Sequence, residues 1–193
     1  MLKAELTLAS KSPTRRTILE NAGLRVVVSP PSSTVEDAAK RHYAGNAHGL
    51  ALHLARAKAE AVAQTTNGLV LGADQTLLLG EHVYSKPRSI EDAQDHLAAL
   101  QGRTHELVSS LAVWRDGNEV WSFTDSARLT MRPLTKTEIV DYIGIAGSDV
   151  LSSVGSYQLE GVGIQLFERV DGDYFTILGL PLLPLLRALR SFT

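Results

Sequence analysis

The chain has 193 residues, 44% of them hydrophobic and 21% charged, and a formal net charge of −2. That length suits one domain, or two lobes sharing a core, burying roughly 70% of the unfolded surface without a disulfide or structural metal. The slight negative charge argues against a nucleic-acid polymer as partner. The lack of cysteine excludes thiol catalysis, cysteine–zinc sites and disulfides and accords with a reducing cytosol.

In chain order, residues 6–9 read as a short apolar strand running into a helix, with Ser12 as N-cap and Pro13 in the first turn. That helix stops at Gly23. Residues 24–28 read as a second strand and residues 29–45 as a loop rich in Ser, Pro and charge. Residues 47–64 carry a helical apolar face. Residues 68–71 form a continuous apolar run of buried-strand type, closed by Gly72-Ala73-Asp74. Residues 76–79 and 82–84 make a hairpin about Gly80-Glu81, in a register that sets Lys86 opposite Gln75.

A helix over 90–100 ends at Gly102, and a second hairpin, 105–115 with 119–130, turns at Asp116-Gly117-Asn118. Thr135 and Glu138 form a capping box for a helix over 135–143. A Gly/Ser-rich loop covers 144–163, short strands lie at 164–170 and 174–178, and a last helix spans 181–190. Interleaved strands and helices predict an α/β fold with a mixed sheet. The N-terminus is too short and too charged for a secretory segment, and the apolar stretch 177–186 is cut by Gly179, Pro181 and Pro184. A soluble, cytoplasmic protein with no membrane partner is the expectation.

Four places carry chemistry. Ser10-Lys11-Ser12-Pro13-Thr14-Arg15-Arg16 leads a strand into a helix N-terminus, where free N–H groups suit an anion. Two arginines there oppose the macrodipole; they are either solvated or face a bound phosphate. Lys58 projects from the apolar side of its helix, with Ala51, Ala55 and Val62, where an ammonium needs a carboxylate, a phosphate or a route to water. Asp74 stands at the carboxyl end of a buried strand, where ligands of α/β sheets gather, and Lys86 reads as its neighbour across the hairpin, for catalysis or as a plain ion pair. The loop Gly155-Ser156-Tyr157-Gln158-Leu159-Glu160-Gly161 allows close backbone approach or simple flexibility. Glu36 and Asp37 offer further carboxylates. The set suits a polyphosphate with a hard divalent cation, Mg²⁺ or Mn²⁺. The six histidines lack zinc-site spacing, and no Walker A loop, dinucleotide fingerprint or Gly-x-Ser-x-Gly elbow is present.

These blocks resemble the Maf family of nucleoside triphosphate pyrophosphatases. Leu8-Ala9-Ser10-Lys11-Ser12-Pro13-Thr14-Arg15-Arg16, Ala57-Lys58-Ala59, Leu71-Gly72-Ala73-Asp74-Gln75, Ser85-Lys86-Pro87, the 155–161 loop, and Asp171-Gly172-Asp173-Tyr174 with Leu178-Gly179-Leu180-Pro181-Leu182 follow its order. The resemblance implies one Maf-like domain over 1–193: an elongated, twisted mixed sheet flanked by helices, in two lobes with a cleft. It implies metal-dependent hydrolysis of a nucleoside triphosphate to the monophosphate and pyrophosphate. Asp74 becomes the catalytic acid and a metal ligand, with Glu36 and Asp37 as further ligands. Ser10, Ser12, Arg15, Arg16, Lys58 and Lys86 hold phosphates.

Thr14, Gln75 and Glu160 fall at the specificity positions. Gln75 and Glu160 agree with the branch acting on 7-methyl-GTP; Thr14 departs from the Trp of that branch and from the Arg of the branch acting on dTTP and UTP. The early acidic pair is reversed, as Glu36-Asp37, and Ser85 stands where the family has Gly. The expectation is a pyrophosphatase for a modified nucleotide of the 7-methyl-GTP kind. A dTTP/UTP pyrophosphatase and a nucleotide-binding regulator with little turnover are the alternatives, and a homodimer follows by family likeness.

Overall fold

The computed structural model describes residues 4–192. Its elements are β1 (Glu5–Leu8), α1 (Pro13–Asn21), β2 (Arg25–Val28), α2 (Ser33–His42), α3 (Leu50–Ala63), β3 (Leu69–Leu79) and β4 (His82–Tyr84). There follow α4 (Ile90–Leu100), β5 (Thr104–Arg115), β6 (Asn118–Met131), α5 (Lys136–Ala146), β7 (Phe167–Asp171), α6 (Tyr174–Ile177) and α7 (Leu182–Arg190). The strands form one sheet in the order β2-β1-β3-β5-β6-β7, with β4 also paired to β3. β1 runs parallel to β2 and β3, whereas β3–β4 and β6–β7 are antiparallel, so the sheet is mixed as the interleaved pattern predicts.

The chain divides into two compact units. The first comprises residues 1–75, 108–125 and 173–193, and strand alternation sorts its core onto two faces. Leu71 and Ala73 of β3, with Leu111 and Val113 of β5, pack with Ile18 and Leu19 of α1 and Leu185 and Leu189 of α7. Val70 and Ala112, one residue out of phase, pack with Ala55, Ala59 and Val62 of α3. Gly72 lies on this α3 face, where a Cβ would overlap the carbonyl oxygen of Ala55 and stand 2.8 Å from Ala59 N. Glycine here lets helix and strand meet backbone to backbone.

The second unit, residues 76–107 and 126–172, holds β4, α4, α5 and β7. The Thr135–Glu138 capping box forms as the sequence indicates. Buried His105 meets the Tyr157 hydroxyl at 2.6 Å, which anchors the 155–161 loop from within.

Several boundaries differ from the sequence reading. Residues 33–42, read as loop, form α2, capped by Ser32 and carrying Glu36 in its first turn and Lys40, Arg41 and His42 in its last. Those charges complement the helix dipole at both ends. β3 does not stop at Leu71 but runs unbroken to Leu79, because burial on both faces and pairing outweigh the weak strand preference of Gly, Ala and Asp. Residues 174–177 are helical, capped by Asp173, and residues 147–152 and 162–166 of the late loop are short 3-10 turns. The β3–β4 register is the expected one (Leu77 opposite Tyr84, Leu79 opposite His82), but β4 ends at Tyr84, short of Lys86. The hairpin turn at Asp116-Gly117 has positive φ at both residues, 51° and 79°, as a two-residue turn of primed type requires.

Candidate active site

The site is built where β1 ends and β3 continues. Thr7 and Leu8 pair with Val70 and Leu71, and the last ladder bond is Ala9 N–H to Leu71 O, 2.8 Å. The next carbonyl of β3 facing that edge is Ala73 O, for which β1 has no further residue. Arg15 takes its place: Nη1 donates to Ala73 O at 2.9 Å and to Ser10 Oγ at 3.2 Å, and Nε donates to Gly179 O at 2.9 Å. Ser12 Oγ, the N-cap of α1, accepts from Arg15 N–H, and Ser10 Oγ accepts from Ser12 N–H. The Ser-x-Ser-Pro-x-Arg block thus folds back on itself and fastens strand β3 to the turn after α6. Burial lowers the affinity of the Arg15 guanidinium for its proton, and the charges of Asp74 and Glu36 oppose that.

On the α3 face, the strand's period of two points Asp74 toward the helix with Val70 and Gly72. Helical spacing places Lys58 with Ala51, Ala55 and Val62 on the buried side. The Lys58 ammonium bonds Asp74 Oδ1 and stands 2.8 Å from Glu36 Oε2. Both Lys58 and Asp74 are buried, at 9% and 7% exposure. Glu36 also takes Lys40 Nζ on its other oxygen, at 2.7 Å. Burial pushes the Glu36 carboxyl up, but the charge of Lys58 and hydrogen bonds from Lys40 and Lys58 outweigh it and hold the group at about 2.

Gln75, one residue on, projects to the opposite face. Its Nε2 donates to Ser109 Oγ (2.9 Å), Ile177 O (2.9 Å) and Thr176 O (3.2 Å).

The structure therefore brings Ser10, Ser12, Arg15, Glu36, Lys58, Asp74 and Gln75 together in the first unit. Arg16 lies outside this group, paired with Glu20 at 2.7 Å on the exposed side of α1. Asp37 is exposed and takes no part in the Lys58 cluster. Thr14 is half-buried on α1, while Lys86 and Glu160 are exposed residues of the second unit. Sequence reasoning missed Lys40, Ser109 and Thr176. Lys40 carried a signal, the i,i+4 spacing from Glu36, which is invisible while the segment is read as loop. Ser109 carried none, being one of two adjacent serines with nothing in the local sequence to relate either to Gln75.

No group of three or more His, Cys, Asp or Glu side chains placed to hold a metal occurs among the described residues. The donors still fit a hard divalent cation: Mg²⁺ is commonly held by one or two carboxylates, with water and substrate phosphate completing its shell. Glu36 and Asp74, converging on one ammonium, are such a pair.

Two carboxylates and a lysine converge just past the point where the parallel pairing of β1 and β3 ends, in an enzyme of the α/β class, and such a set suits phosphate chemistry. The family model for Maf-like protein matches residues 5–192, and the chain belongs to that family. It is 49% identical to the 7-methyl-GTP pyrophosphatase of Rhizobium etli over 97% of this chain and 96% of that one. With the protein of the same name from Rhizobium meliloti it shares 47% identity over 98% and 97%. A nucleoside triphosphate pyrophosphatase of Bradyrhizobium diazoefficiens is 46% identical over 98% and 94%. Among solved structures, the Ham1 protein of Staphylococcus aureus aligns over 66% of this chain and 71% of that one, at 19% identity and a TM-score of 0.45.

Proposed function

We propose that the chain is a nucleoside triphosphate pyrophosphatase that adds water across the α–β anhydride bond, releasing a nucleoside monophosphate and pyrophosphate. The observation that carries this is the buried Lys58 ammonium shared by Asp74 and Glu36 beside the Ser10–Arg15 turn. Lys58 and Lys40 neutralise the two carboxylates, so the cluster by itself offers a triphosphate little net positive charge. A bound Mg²⁺ or Mn²⁺ would supply that charge, neutralise the phosphates and polarise the attacking water. Asp74 is then placed to orient that water and accept its proton. Lys58 holds the two carboxylates apart and offers its remaining hydrogen to phosphate. Arg15 holds Ala73, and so Asp74, in position, leaving Nη2 for the substrate. Ser10, Ser12, Arg16 and Lys86 are assigned to phosphate, and Asp37 to the metal, on the resemblance alone.

For the substrate we infer 7-methyl-GTP. Gln75 and Glu160 support this, as do the names of relatives alike over nearly their whole length. The single family match across residues 5–192 supports reading both units as one functional domain. No described helix is long and apolar enough to cross a membrane. A cytoplasmic location follows from the nucleotide substrate, and a homodimer from the resemblance.

The test is a panel of 7-methyl-GTP, UTP, dTTP, CTP and inosine triphosphate with Mg²⁺ or Mn²⁺, assaying pyrophosphate and orthophosphate separately and using Asp74→Asn as the blank. Pyrophosphate release highest on 7-methyl-GTP, and absent in the blank, is expected. A maximum on UTP or dTTP would keep the reaction and overturn the substrate. Tight nucleotide binding with no turnover would make the chain a binding protein.

A further inference from the structure

The Gln75 amide has one permitted orientation. Its Nε2 faces two backbone carbonyls, Thr176 O and Ile177 O, which can only accept. The third partner, Ser109 Oγ, donates its own hydrogen to Thr176 O at 2.7 Å, so toward Gln75 it too is an acceptor. Flipping the amide would turn Oε1 against the two carbonyls. The clamp is itself fixed: Ser109 and Thr176 are fully buried. Thr176 donates through Oγ1 to Asp125 (2.7 Å) and through N–H to Asp173 (3.0 Å). No hydrogen bond to Gln75 Oε1 occurs among the described residues, and the side chain is half-buried rather than sealed.

We propose that Ser109 is a positioning residue that steadies Gln75 as a hydrogen-bond acceptor toward the substrate base, in the orientation that the two carbonyls set. This rests on the nucleotide reading above. An acceptor locked in place favours bases with an imino N–H, such as guanine, hypoxanthine and uracil. It disfavours adenine and cytosine, whose ring nitrogen at the same edge is itself an acceptor, because two acceptors would then be left facing each other.

The experiment measures kcat and KM separately for GTP, ITP, UTP, ATP and CTP in wild type, Ser109→Ala and Ser109→Thr. It is paired with NMR of the Gln75 side-chain NH₂ in nucleotide-free protein. Wild type should prefer GTP, ITP and UTP. Ser109→Ala should raise KM for these about fivefold, the worth of one neutral hydrogen bond, with kcat within about twofold. It should narrow their advantage over ATP and CTP by the same factor. The Gln75 NH₂ protons should exchange faster in this variant. Ser109→Thr, which keeps the hydroxyl, should restore both readouts. An unchanged ranking in Ser109→Ala, or a wild type preferring ATP or CTP, overturns the proposal. Absence of turnover on every nucleotide instead marks failure of the pyrophosphatase reading. The same ratios are then read from dissociation constants by equilibrium dialysis, with the same outcomes deciding.

Discussion

Replacing Lys58 by Met keeps the methylene stem and removes the ammonium, which isolates the charge it supplies. The Lys58 and Asp74 side chains are 11% and 10% exposed, so the variant leaves a buried carboxylate without its cation. Removing one partner of such a pair costs about 3–5 kcal/mol, much of it the desolvation of the charge left behind. Glu36, whose side chain is 36% exposed, retains Lys40 and adds at most about 1 kcal/mol. With a urea slope of about 2 kcal/mol/M, the expected loss of roughly 4 kcal/mol moves the midpoint down by about 2 M at pH 7.

Two controls separate this from a packing defect. Adding Asp74→Asn to Lys58→Met should recover stability, because the variant then no longer buries an unpaired charge. Millimolar Mg²⁺ should stabilise the single variant more than the wild type, since two carboxylates are then without their lysine. A midpoint within about 0.5 M of wild type at pH 7, or no recovery in the double variant, would refute the reasoning.

Other predictions follow from single contacts. Gly72→Ala drives a methyl group into the Ala55 carbonyl and should cost about 3 kcal/mol by thermal or urea unfolding; a cost under 1 kcal/mol would mean that α3 is not seated on β3 as described. Burial lowers the His105 pKa from 6.5 to about 4, so above pH 6.5 the residue contributes no pH dependence. Between 6.5 and 4 the unfolded chain binds a proton that the fold refuses, and stability falls by up to about 3 kcal/mol as the pH drops. His105→Phe should flatten that slope in Tm measurements, at a cost of about 1–2 kcal/mol at pH 7 for the stranded Tyr157 hydroxyl; an unaltered slope assigns it to other groups. Glu160→Gln should shift substrate ranking from purine toward uracil and thymine nucleotides, read as relative kcat/KM, and an unchanged ranking would remove Glu160 from base selection.

Much of the fold was legible because its signals are local. Ser12-Pro13, the Thr135–Glu138 box and Asp116-Gly117 each specify a cap or turn from a few adjacent residues, and each forms. Lys58 was legible for a different reason, a charge out of place on an apolar helical face, which demands a partner without saying which. Its two carboxylates lie 22 and 16 residues away in sequence, and nothing local relates them. α2 was missed because Ser, Pro and charge dominate the segment, and its helical signal lies in the order of its charges rather than in an apolar stripe.

The least legible point is also the one with most bearing on function. Leu71-Gly72-Ala73-Asp74-Gln75 reads as one motif, and ending the strand at Leu71 treats Asp74 and Gln75 as loop neighbours with a common target. The strand continues, so its period of two sends Asp74 to α3 with Lys58 and Gln75 to the opposite face with Ser109 and α6. Adjacent residues thereby acquire separate neighbourhoods, one holding the Lys58, Asp74 and Glu36 ions, the other the hydrogen bonds of Ser109, Thr176 and Ile177. Because they share a backbone but no side-chain partner, substitutions at Ser109 should leave the Lys58–Asp74 pair intact, and those at Lys58 should leave the Gln75 amide clamped. On the proposed roles, that independence would let the base-facing residue after Asp74 be changed without disturbing the chemistry at Asp74.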